Sequence, residues 1–246
     1  MLNSILELQD VTLSFEKTIL HHINYQIDEE DFIVFLGSNG SGKSSLLKIL
    51  NQQYQPQTGR VLFKGKDLRE YSSREINQQI KMVTQNTQDA LFPGLTILEN
   101  FLVYQQQNKP QLFKINKRAE REMLREYLLP FNENLVARLD QPVEKLSGGE
   151  KQALVLALVM YYPPSILLLD EHTAALDPNA QHNIMRLTHE LVKKHKLTCI
   201  FTTHDLRQAE NYGNRILSLK NGVVHKAIEA EAKVDLKHSD LLVACY

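Results

Sequence analysis

FIVFLGSNGSGKSSLLKIL, residues 32–50, decides how the rest of the chain is read. A short apolar, β-branched run (Phe32 to Leu36) leads into a glycine-rich turn, and the turn leads into an apolar-periodic helix carrying Leu46, Leu47, Ile49 and Leu50. The turn, Gly37-Ser38-Asn39-Gly40-Ser41-Gly42-Lys43-Ser44, satisfies G-x-x-x-x-G-K-[ST] in full. Its glycines let successive backbone N–H groups curl inward onto phosphate oxygens, and the helix that follows adds its positive N-terminal end. Lys43 is then placed to reach the β- and γ-phosphates and the Ser44 hydroxyl to ligate Mg²⁺. The stretch reads as a phosphate-binding loop.

Composition narrows the setting. The chain has 246 residues, a formal net charge of -1 and 23% charged residues, with no basic block, so nucleic acid is not an expected partner. The cysteines, Cys199 and Cys245, have no metal-ligand spacing and fit a reducing compartment. The N-terminus lacks the charged and apolar regions of a signal peptide. The longest apolar stretch, Ala153 to Tyr162, is about half of a membrane span. A soluble, cytoplasmic protein is expected, with any membrane role exercised through a partner.

Outward from the loop, residues 5–36 alternate as β-strands around an acidic turn, Asp28 to Asp31. QPQTGRVLFKGKDL predicts a Thr-Gly turn, a short strand and a Lys-Gly turn, and IKMVTQ predicts a strand ending at Gln85. Residues 86–146 change to helical periodicity, with LTILENFLVYQQQ and NKRAEREMLREYLLPF joined by the loop QQQNKPQ. From Ser147 an α/β pattern returns: a helix from Gly149 to Tyr161, the strand SILLLD, a helix from Pro178 to His195, the strand LTCIFTTH, a short helix from Leu206, and strands at RILSLK and GVVHKAI. The expected fold is α/β: a P-loop core with a mostly parallel sheet flanked by helices, an N-terminal antiparallel β subdomain and an inserted helical subdomain. The division expected is 1–85 and 147–228 for the core, 86–146 for the helical part and 229–246 for the tail.

Two further stretches carry chemistry. SILLLD ends in adjacent acids, where Asp170 is placed to hold a metal and Glu171 to polarise a water; turn chemistry alone also accounts for such a pair. In LSGGEKQ, Ser147 caps a helix whose first turn holds Gly148 and Gly149, a second anion site. A capping box of Ser147 with Glu150 explains the helix start without function, but does not require the glycines.

Together, and in this order along nearly the whole chain, these stretches resemble the nucleotide-binding subunits of ABC transporters. The resemblance implies that Phe15 stacks on adenine, that Gly37 to Ser44 with Ser45 form the Walker A loop, and that Gln85 is the Q-loop glutamine, a second Mg²⁺ ligand. It implies that Ser147, Gly148, Gly149 and Glu150 are the signature motif acting in trans. It makes Asp170 the Walker B acid and Glu171 the catalytic glutamate. Ala174 to Asp177 become the D-loop and His204 the switch histidine, catalytic with Glu171 and Lys43. Several positions depart from the commonest pattern: Asp31 for glycine, Ser45 for threonine, Glu150 for glutamine, Ala153 for arginine and His172 for proline.

DEHTAALDP, KQALVLALVM and QAENYGNRILSLKNG further resemble the ATPases of bacterial importers paired with tryptophan/tyrosine-type or uncharacterised substrate-binding lipoproteins. The implied protein is an ATP- and Mg²⁺-dependent motor that homodimerises on ATP. It would dock on membrane-embedded permease subunits at the inner face of the cell membrane, and through them serve a substrate-binding protein. The competing readings are a soluble ABC-type ATPase acting on ribosomes or DNA, an exporter or lipid-extractor subunit, and a P-loop small-molecule kinase. The kinase would have no use for LSGGE.

Overall fold

The N-terminal alternation folds into two long strands, β1 (Ser4–Ser14) and β2 (Thr18–Asp28), paired antiparallel. In the computed structural model, which describes residues 4–108 and 117–233, they belong to a four-stranded sheet ordered β2-β1-β4-β5, with β4 at Thr58–Phe63 and β5 at Lys66–Asp67. The Lys64-Gly65 turn of the β4–β5 hairpin is as expected; the Thr58-Gly59 turn is not, because both residues lie within β4. Gly59 has φ 78 against the irregular stretch of β1, where a Cβ would sit 2.3 Å from the Asp10 carbonyl oxygen. Close strand approach, not a turn, requires glycine there.

A second sheet is ordered β10-β9-β3-β8-β7-β6. It comprises β3 (Phe32–Leu36), β6 (Ile80–Thr84), β7 (Ile166–Asp170), β8 (Thr198–Thr203), β9 (Arg215–Lys220) and β10 (Val223–Ile228). β9, β3, β8 and β7 run parallel, and β10 returns antiparallel on β9. Strands β3 and β8 are buried at every residue; the unbroken apolar run of β3 implies this, whereas β8 also buries Thr198, Thr202 and Thr203. The phosphate-loop helix α1 (Lys43–Leu50) buries Leu46, Leu47, Ile49 and Leu50 in one core with Ile33, Phe35, Leu168, Ile200 and the inner faces of β1 and β2.

The chain divides into two units. The first is residues 1–82, 164–171 and 192–246; the second is 83–163 and 172–191. The second contains α3 (Ile97–Asn108), α4 (Lys117–Leu128), α5 (Glu133–Ala137), α6 (Gly148–Tyr161) and most of α7 (Pro178–His195). The sequence division gave α6 to the core, whereas here it groups with α3 and α5. It is apolar on nearly every side, and Phe101 of α3 meets Tyr161 of α6 edge-to-face at 4.8 Å. The predicted QQQNKPQ loop begins later than expected, since α3 runs through Asn108; the rest of it lies outside the described residues. The tail beyond 233 and Cys245 also lie outside them.

Candidate active site

β3 ends at Leu36 and its chain turns directly into the glycine loop, so the loop is anchored on a buried central strand. Gly42, which precedes α1, has φ 104, and a Cβ there would stand 2.6 Å from Leu20 Cδ2. Both the conformation and the space demand glycine. Lys43 is buried and donates from Nζ to the carbonyl oxygens of Gly37 (2.8 Å) and Ser38 (3.1 Å). Burial pulls its pKa down, while Glu171 and then Asp170 pull it back up. The Ser41 hydroxyl is buried with no hydrogen-bond partner among the described residues, an orphan that a phosphate oxygen would satisfy.

The acids arrive from β7. Ser44 donates its hydroxyl proton to Asp170 Oδ1 at 2.8 Å, closing a span of 126 residues. Glu171 Oε1 lies 3.7 Å from Lys43 Nζ and 3.6 Å from His204 Nδ1. A cavity of about 740 Å³ is lined by Asn39, Gly40, Gly42, Lys43, Ser44, Ser45 and Glu171. Lys17, Thr18, Ile19, His21 and Asn221 complete its wall. Sequence reasoning missed these five, and no local signal marks them: they reach the loop only because β2 and the β9–β10 turn fold beside it. Phe15 stands in the β1–β2 turn, 59% exposed, with one ring edge against Tyr54 at 5.2 Å. A core role for Phe15 is therefore excluded.

Gln85, Ser147 to Glu150 and Asp177 belong to the second unit. Gln85 is exposed just past β6. Ser147 and Glu150 form a full capping box at the start of α6: the Glu150 N–H donates to Ser147 Oγ at 3.2 Å, and the Ser147 N–H donates to Glu150 Oε2 at 2.9 Å. Arg138 adds an ion pair to Glu150 at 3.2 Å. The carboxylate is thus spent on the cap, and Ser147 and Gly148 remain exposed. Asp177 caps α7, accepting the Ala180 N–H at 3.0 Å. His172 is buried 3.4 Å from Thr188 Oγ1, and burial lowers its pKa to about 3, so its ring is neutral.

Hard oxygen donors suit magnesium, which takes one or two protein groups and leaves other positions to phosphate and water. Ser44 with Asp170 offers such a pair beside the loop, and among the described residues no cluster of three or more His, Cys, Asp or Glu forms a fuller metal cage. Also among the described residues, no helix is long and apolar enough to cross a membrane.

Comparison with known proteins follows the same line. The ABC transporter family model matches residues 20–174. The tyrosine transport ATP-binding protein of Clostridioides difficile (strain R20291) is 31% identical over 227 residues, covering 92% of this chain and 90% of that protein. The energy-coupling factor transporter ATP-binding protein EcfA1 of Lactococcus lactis subsp. lactis (strain IL1403) is 31% identical, covering 92% and 79%. Among solved structures, cbiO1 of Clostridium perfringens, part of the ABC transporter complex cbiONQ, aligns with a TM-score of 0.81 at 26% identity, covering 98% of this chain and 94% of that one. The ATP-binding cassette MJ0796, a dimer in a post-hydrolysis state bound to ADP and Pi, aligns with a TM-score of 0.74 at 28% identity, covering 92% and 98%. With the phosphate loop and its acids in place, these matches give the conclusion: the chain belongs to the ABC transporter family, as an ATP-binding, ATP-hydrolysing subunit.

Proposed function

We propose that the protein is the motor of an importer, working as an ATP-dependent homodimer beneath membrane permease subunits at the cytoplasmic face. The observation that carries the chemistry is the convergence of Lys43, Glu171 and His204, with the Glu171 carboxylate 3.7 Å from one and 3.6 Å from the other. Phe15 offers a ring face to adenine, and the loop N–H groups and Lys43 grip the phosphates. Ser44 and Asp170 would hold a magnesium ion, which would supply positive charge to offset that of the phosphates. Glu171 accepts the proton of the attacking water, and His204 contacts the γ-phosphate and registers its loss. Ser147 and Gly149 of a second copy present the α6 N-terminus to the same phosphate. The dimer closes while the γ-phosphate bridges the two copies and opens on its release.

The Clostridioides difficile relative, a tyrosine transport ATP-binding protein, supports an amino-acid-like solute; delivery by a substrate-binding protein is part of the same proposal. That solute does not touch this subunit. The test is ATP hydrolysis by wild type beside Glu171→Gln. The variant is expected to bind ATP and turn over slower by on the order of 100-fold or more. Turnover at the wild-type rate would remove Glu171 from the role of base. Co-purification with a permease in detergent supports the transporter setting; recovery with ribosomes or nucleic acid instead would overturn it.

A further inference from the structure

One buried hydroxyl touches both acids at the end of β7. Asp170 closes the strand in regular register, directly opposite Thr202 on the neighbouring parallel strand β8. Glu171, the next residue, has φ 45, a left-handed conformation that a residue with a side chain adopts at a cost and keeps only where its surroundings hold it. Thr202 is 2% exposed. Its Oγ1 accepts the Glu171 N–H at 3.0 Å, and its hydroxyl proton goes to Asp170 Oδ1 at 2.8 Å.

A hydroxyl has one proton and two lone pairs, so both bonds form at once. Strand propensity explains a β-branched residue in β8 but not a hydroxyl in its interior, since valine has the same shape and avoids burying a polar group. Asp170 Oδ1 also receives the Ser44 hydroxyl. When Ser44 turns its oxygen to a metal ion, the Thr202 bond still orients the carboxylate. We infer that Thr202 is a positioning residue for ATP hydrolysis, its single hydroxyl fixing the Asp170 carboxylate and the Glu171 backbone together. The inference rests on the roles proposed above for these two acids.

The test compares Thr202→Val and Thr202→Ser with Glu171→Gln alongside. In nucleotide- and metal-free protein, amide exchange at Glu171 is expected to quicken in Thr202→Val and to stay at the wild-type rate in Thr202→Ser. In turnover, Thr202→Val is expected to lose about 10- to 100-fold in kcat with KM for ATP unchanged. It should also need more Mg²⁺ for half-maximal rate, and serine should restore all three readouts. Thr202→Ala supplies the same comparison should the valine variant not fold. Wild-type kcat in Thr202→Val while Glu171→Gln is impaired would overturn this inference alone. A serine variant as slow as the valine variant would overturn it too, by assigning the effect to side-chain shape. Glu171→Gln turning over at the wild-type rate would overturn it together with the reading beneath it.

Discussion

The two units hold their polar side chains in different ways. In the first, the key bonds join residues far apart in the chain: Ser44 to Asp170, Thr202 to Asp170, and Arg215 to Asp31 across 184 residues. In the second they are mostly local. Ser147 and Glu150 cap α6, Thr96 and Glu99 bond each other in the same pattern at the start of α3, and Asp177 caps α7. Asn100 holds the loop before α3 by accepting the Phe92 N–H at 2.8 Å and donating to the carbonyl oxygens of Phe92, Leu95 and Thr96. Chemistry that needs groups from several strands at sub-ångström precision is built on the long-range network. An anion-binding helix end needs only a well-formed first turn.

The contrast is sharpest at Arg215. Its side chain, 10% exposed, pairs with the buried Asp31, with Asp28 at 3.9 Å and with Glu229 at 2.6 Å, and stacks over Tyr25 at 5.1 Å. Arg215→Ala leaves a buried carboxylate without its cation, and a loss of about 3–5 kcal/mol is expected in denaturant unfolding. A double-mutant cycle with Asp31→Ala should show coupling above ~1 kcal/mol; additivity would mean that the long-range pair is decorative. In the second unit, Asn100→Ala strands the Phe92 N–H and is expected to cost about 1–3 kcal/mol. That loss should be confined to amide protection around residues 92–100; loss of protection throughout the first unit would erase the contrast drawn here.

A pH-dependent effect concerns Lys233, whose Nζ donates to the Gly213 carbonyl at 2.6 Å and to that of Tyr212. Burial lowers its pKa from 10.5 to about 8. Between those values the unfolded chain binds the extra proton, so the cost of the buried ammonium is present below pH 8 and relieved as pH rises toward 10.5. Wild type should gain stability relative to Lys233→Met over that window, read as midpoints of urea unfolding at several pH values. A flat difference would contradict the burial.

The same contrast explains what the sequence could reveal. The loop at 37–44, the buried strands, the α7 limits at Pro178 and His195, and the Ser147–Glu150 box are all written in residues a few positions apart, and local rules reach them. So is a helix the sequence reading passed over, Ser73–Gln79, which carries a full capping box in Ser72 and Glu75; its signal was present and unread. The Thr58-Gly59 reading failed because glycine before a strand and glycine pressed against a neighbouring strand look alike in one dimension. His21, Asn221 and Thr202 had no local signal at all. Their places depend on which strands become neighbours.

The central claim is that a nucleotide held by the first unit of one copy is met by the α6 N-terminus of another. It is tested most directly by light scattering of Glu171→Gln with ATP and Mg²⁺, with and without Ser147→Asp. Aspartate caps a helix as well as serine, so the fold is kept while a negative charge is set against the γ-phosphate. The account predicts an ATP-dependent dimer for Glu171→Gln and a monomer for the double variant with ATP still bound. Equal dimerisation of the two would contradict it, leaving Ser147 a helix cap and nothing more.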